Sequence, residues 1–429
     1  MIEMKNNTLR KKLIRLAALL MLLALTINTA GCSGFPPKVS AENLMEQIKP
    51  NPVDGKTTDS QFINSTADFI VELFKKSVDD KKNSLVSPLS VMYALAMTAN
   101  GAEGETLAQM EKVLGKEIPL DELNEYLHYY AENLPHVEKS KFKMANSIWF
   151  RDDENKLKVE KDFLQKNADY YNAEIYKSPF TDETILDINK WVKKNTDGMI
   201  EKIIDEIDED TVMYLINAMV FDAEWKEVYS KGDIYQGQFT SWDGTKQTAD
   251  FMRSEESYYL DDGRATGFIK PYFDDKYSFV ALLPNEGIKI EDYIADLTGE
   301  GLLNTVSSAE PATVSASLPK FSYEYEITLN DVLKSMGMTD GFNPVTADFK
   351  RLGSSPIGNI YIGEVLHKTF ISLDELGTKA GAVTKVEMKV ESAILDIKIV
   401  TLDRPFVYAI IDNATMLPVF IGTVMSLTQ

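Results

Sequence analysis

The sequence has one cysteine, Cys32, and three histidines, His128, His136 and His367, in 429 residues. A single cysteine excludes a disulfide within the chain and a metal site built on cysteines. The histidines lack the H-E-x-x-H spacing of zinc proteases, and glycine-rich phosphate-binding loops and a G-x-S-x-G elbow are missing as well. No enzyme activity and no cofactor are therefore expected. A carboxylate pair or a triad through His367 is the hydrolase alternative that the residues leave open.

Basic residues are also too few to balance the acidic ones. The chain has 66 acidic and 45 basic residues, which gives a formal net charge of −21. Such a chain repels phosphate groups, so no nucleic-acid partner is expected. Hydrophobic residues make up 44% of the sequence, enough for a sizeable core without covalent cross-links.

The N-terminus is typical of an exported protein. Basic residues from Lys5 to Arg15 precede an apolar run that is too short to span a bilayer comfortably, and small residues then lead to Cys32. This ending resembles a bacterial lipobox, although Thr29 stands where Leu is usual. We expect a signal peptide over 1–31, lipidation of Cys32, a tether over 32–60 and an extracytoplasmic location, anchored or secreted. The alternatives are a plain signal peptide and an ordered arm on the domain.

Apolar periodicity divides the remainder into an early helical part and a later strand-rich part. Helices are predicted over 62–74, 88 to about 100, 106–114, 120–133, 185–196 and 199–207. Strands are predicted over 146–150, 212–221, 314–318, 321–326, 360–362, 368–373, 406–412 and 418–424, with a hairpin from 268–272 and 278–283. This order predicts a single α+β domain over 61–429 with large antiparallel sheets.

Several short segments, in chain order, resemble the serpin family. They are residues 83–90 (NSLVSPLS), 94–97 and 100–106, then 188–192 with Thr196 and Ile200, 215–221 with Trp225, 318–321, 333–338, 347–349, 367–368, 375–378, 404–406 and 420–422. The resemblance covers about 61–429 and implies three β-sheets, eight or nine helices and an exposed reactive loop at about 375–403. It also implies a monomeric suicide inhibitor of serine proteases, with cysteine proteases as a further class. The alternative is a non-inhibitory, serpin-like binding protein.

The resemblance implies that the start of this loop is a hinge that enters the central sheet after cleavage. The hinge comprises Glu375, Gly377, Thr378, Ala380, Gly381, Ala382 and Thr384. Gly377 permits a sharp change of direction, and Thr378, Ala380, Ala382 and Thr384 share one face of an extended strand. Lys379 stands where the family usually has Glu, and Gly381 and Val383 replace Ala. None of these residues blocks insertion.

Family spacing also assigns the bond offered to the protease and the side chains beneath the sheet. The bond lies between Glu391 and Ser392, which suits a glutamyl-type protease, whereas Val390 or Ala393 would suit elastase- or subtilisin-type pockets. A polar cluster that the sheet must open past comprises Ser87, Ser90, Asn217 and His367, with Trp225 near the entry point. Ordinary core packing is the alternative for each. Heparin is not expected as an activator because the stretch 121–138 is acidic.

Overall fold

The structure is a computed structural model that describes residues 39–134, 140–152, 156–356, 358–378 and 397–428, without the side chains of 140–142 and 274. Ser40–Gln429 forms one compact unit. The predicted signal peptide and Cys32 lie outside the described residues. Within these ranges, no helix combines the length and the apolar content that a membrane span requires.

Nine α-helices occur in the described part of the chain. They are α1 Ser60–Ser77, α2 Pro88–Ala99, α3 Gly104–Gly115, α4 Leu120–Asn133, α5 Lys161–Tyr171, α6 Asp182–Asn195, α7 Ile290–Asp296, α8 Gly299–Ser307 and α9 Asn330–Met336. Helix α1 begins where the Asp59 carboxylate accepts the Phe62 N–H, which satisfies a backbone donor that has no partner within the helix. Helix α2 has Pro88 in its first turn and is buried on every side, because it packs against both large sheets.

The strands, numbered in chain order, form a seven-stranded sheet, a nine-stranded sheet and a two-stranded sheet. The first has the order β1 Glu42–Asn43, β5 Glu174–Ser178, β3 Ser140–Arg151, β6 Met213–Glu224, β15 Gly377–Thr378, β14 Glu364–Leu373 and β12 Phe321–Thr328. The second has the order β16 Lys398–Thr401, β11 Glu310–Pro319, β8 Lys246–Asp261, β9 Ala265–Pro271, β10 Tyr277–Pro284, β17 Phe406–Asp412, β18 Pro418–Val424 and β2 Ser84–Val86, with β7 Ile234–Thr240 beside β8. Strands β4 Lys158–Val159 and β13 Gly353–Ser354 form the third. The α+β class, the three sheets and the helix number are confirmed for the described residues.

The segment before α1 corrects the predicted tether. The backbone N–H groups of Ser40 and Ala41 donate to the buried Asp187 carboxylate at 2.7 and 2.8 Å, and β1 pairs with β5 at the sheet edge. Further on, the Asn51 N–H donates to Asp169 at 2.6 Å, and the Lys56 N–H donates to the Glu125 carbonyl. Residues 40–59 are therefore an ordered arm, and the compact unit begins about 20 residues earlier than predicted.

Two predicted elements are wrong. Residues 199–207 are not helical, although Ile200, Ile203 and Ile204 are buried, because the Asn189 side chain accepts the N–H groups of Ile203 and Ile204 in place of a helical ladder. Residues 360–362 form no strand. Their alternating burial arises in an irregular segment in which the Ile362 N–H donates to the Gly341 carbonyl.

Candidate functional site

The central strands of the seven-stranded sheet are arranged so that a further strand can enter between two of them. Strands β6 and β14 run parallel and pair directly over Tyr214–Met219 and Glu364–Thr369. Above these pairs, the short strand β15 lies between the two and is antiparallel to both, with Thr378 opposite Ala223 on β6 and Leu373 on β14. We call the β6–β14 boundary below Thr378 the insertion slot.

A tight turn directs the chain from β14 into the slot. The Asp374 N–H donates to the Gly377 carbonyl at 3.0 Å, and the Leu376 N–H donates to the Asp374 side chain at 2.8 Å. A Cβ at Gly377 would lie 2.0 Å from the Ala223 carbonyl oxygen. Only glycine fits this close approach of two backbones without displacing β6.

Thr378, the last described residue before the loop, is already inside the sheet. It is 1% exposed, and its hydroxyl lies 2.7 Å from the Tyr272 hydroxyl, itself buried. The Tyr272 ring stacks on Trp225, with ring centroids 4.5 Å apart. Sequence reasoning missed Tyr272, although it closes the predicted strand 268–272.

Trp225 and a nearby ion pair fix the turn from the side. The Trp225 backbone N–H donates to the Leu376 carbonyl and its indole Nε1–H donates to the Asp374 carbonyl, both at 2.9 Å. The carboxylate of Glu375 lies 2.5 Å from Lys320 Nζ. That hydrogen bond lowers the pKa of Glu375 below its usual value. The predicted hinge residues Glu375, Gly377 and Thr378 are therefore all anchored at the mouth of the slot.

Lower in the slot, the structure brings together the side chains of Ser87, Ser90, Asn217 and His367. Asn217 and His367 are opposite each other in the β6–β14 register, and Asn146 on β3 is opposite Asn217 on its other side. The Asn217 amide Nδ2 donates to Ser90 Oγ and to Asn146 Oδ1. Asn146 was not singled out from the sequence, although it begins the predicted strand 146–150. These hydrogen bonds join β6 to β3 and to the start of α2.

His367 is fully buried, and its partners define its tautomer. The Ser87 backbone N–H donates to His367 Nε2 at 3.1 Å, so Nε2 is the acceptor. Nδ1 lies 2.5 Å from Asn217 Oδ1 and is therefore the protonated nitrogen. Burial lowers the pKa of His367 to about 3, which keeps the ring neutral. The Ser87 hydroxyl donates instead to the Val419 carbonyl at 2.9 Å, an arrangement that does not support a serine–histidine nucleophile pair.

The remaining predicted site residues follow Thr378 in the reactive loop of the sequence prediction. Ala380, Gly381, Ala382, Thr384, Glu391 and Ser392 lie outside the described residues. In the described ranges, no group of three or more His, Cys, Asp or Glu side chains is arranged to hold a metal ion.

This fold defines a single-domain α+β protein whose loop begins within its own central sheet. Residues 64–427 match the family model described as Serpin (serine protease inhibitor), and the chain belongs to the serpin family. An uncharacterized serpin-like protein of Thermococcus kodakarensis is 28% identical, with 85% of each chain covered.

Two solved structures of one thermophilic serpin, tengpin, resemble the chain more closely. The structure of its native state is 57% identical, with a TM-score of 0.87 over 90% of this chain and 100% of that chain. The structure of its latent state is 55% identical, with a TM-score of 0.78 over 87% of this chain and 100% of that chain.

Proposed function

We propose that the protein is an extracytoplasmic suicide inhibitor of proteases that traps the acyl-enzyme by inserting its cleaved loop into the insertion slot. The observation that carries this proposal is the position of β15, which starts a strand antiparallel to both β6 and β14. Continuing this strand replaces one parallel pairing by two antiparallel pairings. Antiparallel pairs are slightly more stable per residue, and each inserted residue adds ladder hydrogen bonds.

The register set by Thr378 extends without a shift along both neighbours. Each later loop residue would pair one position earlier on β6 and on β14, as far as residue 387 opposite Tyr214 and Glu364. In that state Thr384 would lie opposite Asn217 and His367. The inserted strand would therefore separate the two residues whose side chains are hydrogen-bonded across the slot.

The composition of the loop suits this path. Thr378 shares its face with Ala223 and Leu373, both buried, so residues of the same parity would face the interior. Up to residue 387 they are Ala380, Ala382, Thr384 and Val386, which are uncharged and no larger than valine. Insertion into a packed sheet requires that the side chains facing the interior are neither bulky nor charged.

Tengpin supports the proposal because its structure has been solved in a native state and in a latent state. Two solved states of one protein indicate that a serpin of this type has more than one accessible fold. This protein would likewise store free energy in its loop-exposed state and release it on insertion.

The target would be a serine protease with a pocket for Glu391 or a neighbouring residue, of glutamyl, elastase or subtilisin type. Lipidation of Cys32 would bring the inhibitor to the cell membrane, because acyl chains bury their CH₂ groups in the bilayer. If Cys32 is lipidated, the wild-type protein should be recovered in the membrane fraction. The Cys32→Ser variant should then be recovered in the soluble fraction. An unmodified, soluble wild type would contradict this part of the proposal.

The decisive experiment mixes the chain from Ser40 onwards with proteases of these three types and with trypsin. A denaturing gel would show a stable complex of summed mass, and N-terminal sequencing of the released fragment would give the cleaved bond. A protease with its active-site serine chemically blocked is the control and should form no complex. Cleavage without a complex for every protease would favour the non-inhibitory, serpin-like alternative.

A further inference from the structure

A buried ion pair lies directly beneath the mouth of the slot. Lys270 on β9 and Glu256 on β8 are 2% and 7% exposed, with Nζ and Oε1 2.9 Å apart. The Ser254 hydroxyl donates to the same carboxylate at 2.6 Å. Buried ion pairs commonly contribute little more stability than hydrophobic residues of equal volume. A role for this pair is therefore sought in its position next to the slot and not in its contribution to the free energy of unfolding.

The Lys270 ammonium also contacts one short segment of chain at three points. Nζ lies 4.4 Å from the centroid of the Tyr229 ring and 5.3 Å from that of the Trp225 ring. It is also 3.4 Å from the Glu227 carbonyl oxygen. Two cation–π contacts and a carbonyl contact thus hold residues 225–229 onto the sheet beneath.

The same segment holds the start of the loop from above. The Trp225 N–H donates to the Leu376 carbonyl at 2.9 Å, and the Tyr229 N–H donates to the Glu375 carbonyl at 3.0 Å. The contacts form a continuous path from Lys270 through residues 225–229 to the turn at 374–377. Each step is a direct contact, so displacing the segment would displace the turn.

We propose that Lys270 is a positioning residue for loop insertion, which fixes the turn at 374–377 so that Thr378 enters the slot in register. Glu256 holds the ammonium where it can contact both rings. This role rests on the proposed inhibitory function, because it concerns the speed of insertion. Without the contact from Lys270 the turn would be less ordered. Insertion would then be slower, because the turn would first have to adopt the conformation that places Thr378 in the slot.

The test compares the wild-type chain from Ser40 onwards with Lys270→Met/Glu256→Leu, which removes both charges and leaves no buried charge unpaired. Amide hydrogen exchange at Trp225 and Tyr229 should become about tenfold faster, the effect expected from losing one or two cation–π contacts. The number of inhibitor molecules consumed per trapped protease should rise about twofold or more, because slower insertion lets more acyl-enzyme hydrolyse.

The matched control is Lys177→Met/Asp152→Asn, which removes an ion pair between β5 of the seven-stranded sheet and the residue that follows β3, with Nζ and Oδ2 3.1 Å apart. In the described part of the chain, this ion pair does not contact residues 225–229. The control variant should therefore leave hydrogen exchange and inhibitor consumption unchanged. Tyr229→Leu is a second variant that keeps the ion pair but removes one ring, and it should change both readouts in the same direction. Tyr229→Leu therefore decides the question if the double variant does not fold.

Unchanged exchange in a folded variant would overturn the proposal. Faster exchange with unchanged inhibitor consumption would also overturn it, since Lys270 would then be a structural contact without influence on insertion. If the wild type traps no protease, the inhibitory function fails, while exchange at Trp225 and Tyr229 still shows whether Lys270 orders the turn.

Discussion

Single side chains at the slot couple its stability to solution conditions, and His367 is the clearest case. Burial lowers the pKa of His367 to about 3, whereas an unfolded histidine titrates near 6.5. Between these values the unfolded chain binds a proton that the folded chain does not. The contribution of the neutral His367 to the free energy of unfolding is therefore fully present above about pH 6.5. Below that pH the free energy of unfolding falls by up to about 1.4 kcal/mol per pH unit.

This pH dependence can be measured from urea-unfolding midpoints at pH 7 and pH 5. His367→Gln removes the titrating ring and should be less stable at pH 7, yet lose less stability than the wild type between the two values. His128→Gln changes a histidine outside the cluster and is the matched control. Equal acid sensitivity of His367→Gln and the wild type would show that His367 does not carry this effect.

Thr378 is the residue at which insertion is most sensitive to charge. Its side chain is 1% exposed and contacts the Tyr272 hydroxyl, so an arginine there would have to enter the sheet without a partner. We expect Thr378→Arg to convert the inhibitor into a substrate that is cleaved without forming a complex on a denaturing gel. Lys379→Arg, which keeps a charge one position later, should still trap proteases. Trapping by Thr378→Arg would mean that the hinge is assigned wrongly.

At the scale of helices and strands, elements with a regular apolar pattern could be predicted from the sequence. The helix at Leu120–Asn133 and the strands at Phe406–Asp412 and Pro418–Val424 have the predicted bounds. Elements whose backbone groups are satisfied by distant side chains could not be predicted. The backbone N–H groups of residues 203 and 204 donate to the Asn189 side chain. These residues are therefore buried without forming the helix that their apolar pattern predicts.

The site shows the same division between local pattern and tertiary contact. The parity of the hinge could be read from the sequence, and the register of β15 is compatible with it. The slot itself depends on which strands are neighbours, and the pairing of β6 with β14 joins residues about 150 positions apart. No local pattern encodes such a separation. Asn146 and Tyr272 were missed for the same reason, because their contacts with Asn217 and Thr378 cross 71 and 106 positions of the chain.

The arm at 40–59 is an element whose stability depends on one buried carboxylate. Asp187 is 1% exposed and accepts the N–H groups of Ser40 and Ala41. Asp187→Ala should leave both donors without this partner and cost about 1–3 kcal/mol, measured as a lower urea midpoint and faster proteolysis within the arm. Glu183→Ala, at an exposed position of the same helix, is the control. Equal proteolysis of both variants would show that Asp187 does not hold the arm.

For the whole molecule, the proposed mechanism requires that the described fold is not the most stable one available to the chain. The slot is closed by six residue pairs between parallel strands and by the cluster around His367. Opening it breaks these contacts, and insertion of residues 379–387 would replace them with two longer antiparallel ladders. The same strands thus determine both the barrier to insertion and the free energy that insertion releases. While the loop is uncleaved, this barrier slows the conversion of one state into the other.

Cleavage within residues 388–393 should therefore raise the melting temperature. At about 1 kcal/mol net per added hydrogen bond, some ten new backbone bonds would raise it by at least about 10 °C. Calorimetry of the intact and the cleaved protein measures the difference. Thr378→Arg cleaved at the same bond should show no rise, because its loop cannot enter the slot. A cleaved wild type that melts at the temperature of the intact protein would mean that the sheet accepts no further strand, and the inhibitory mechanism would fail with it.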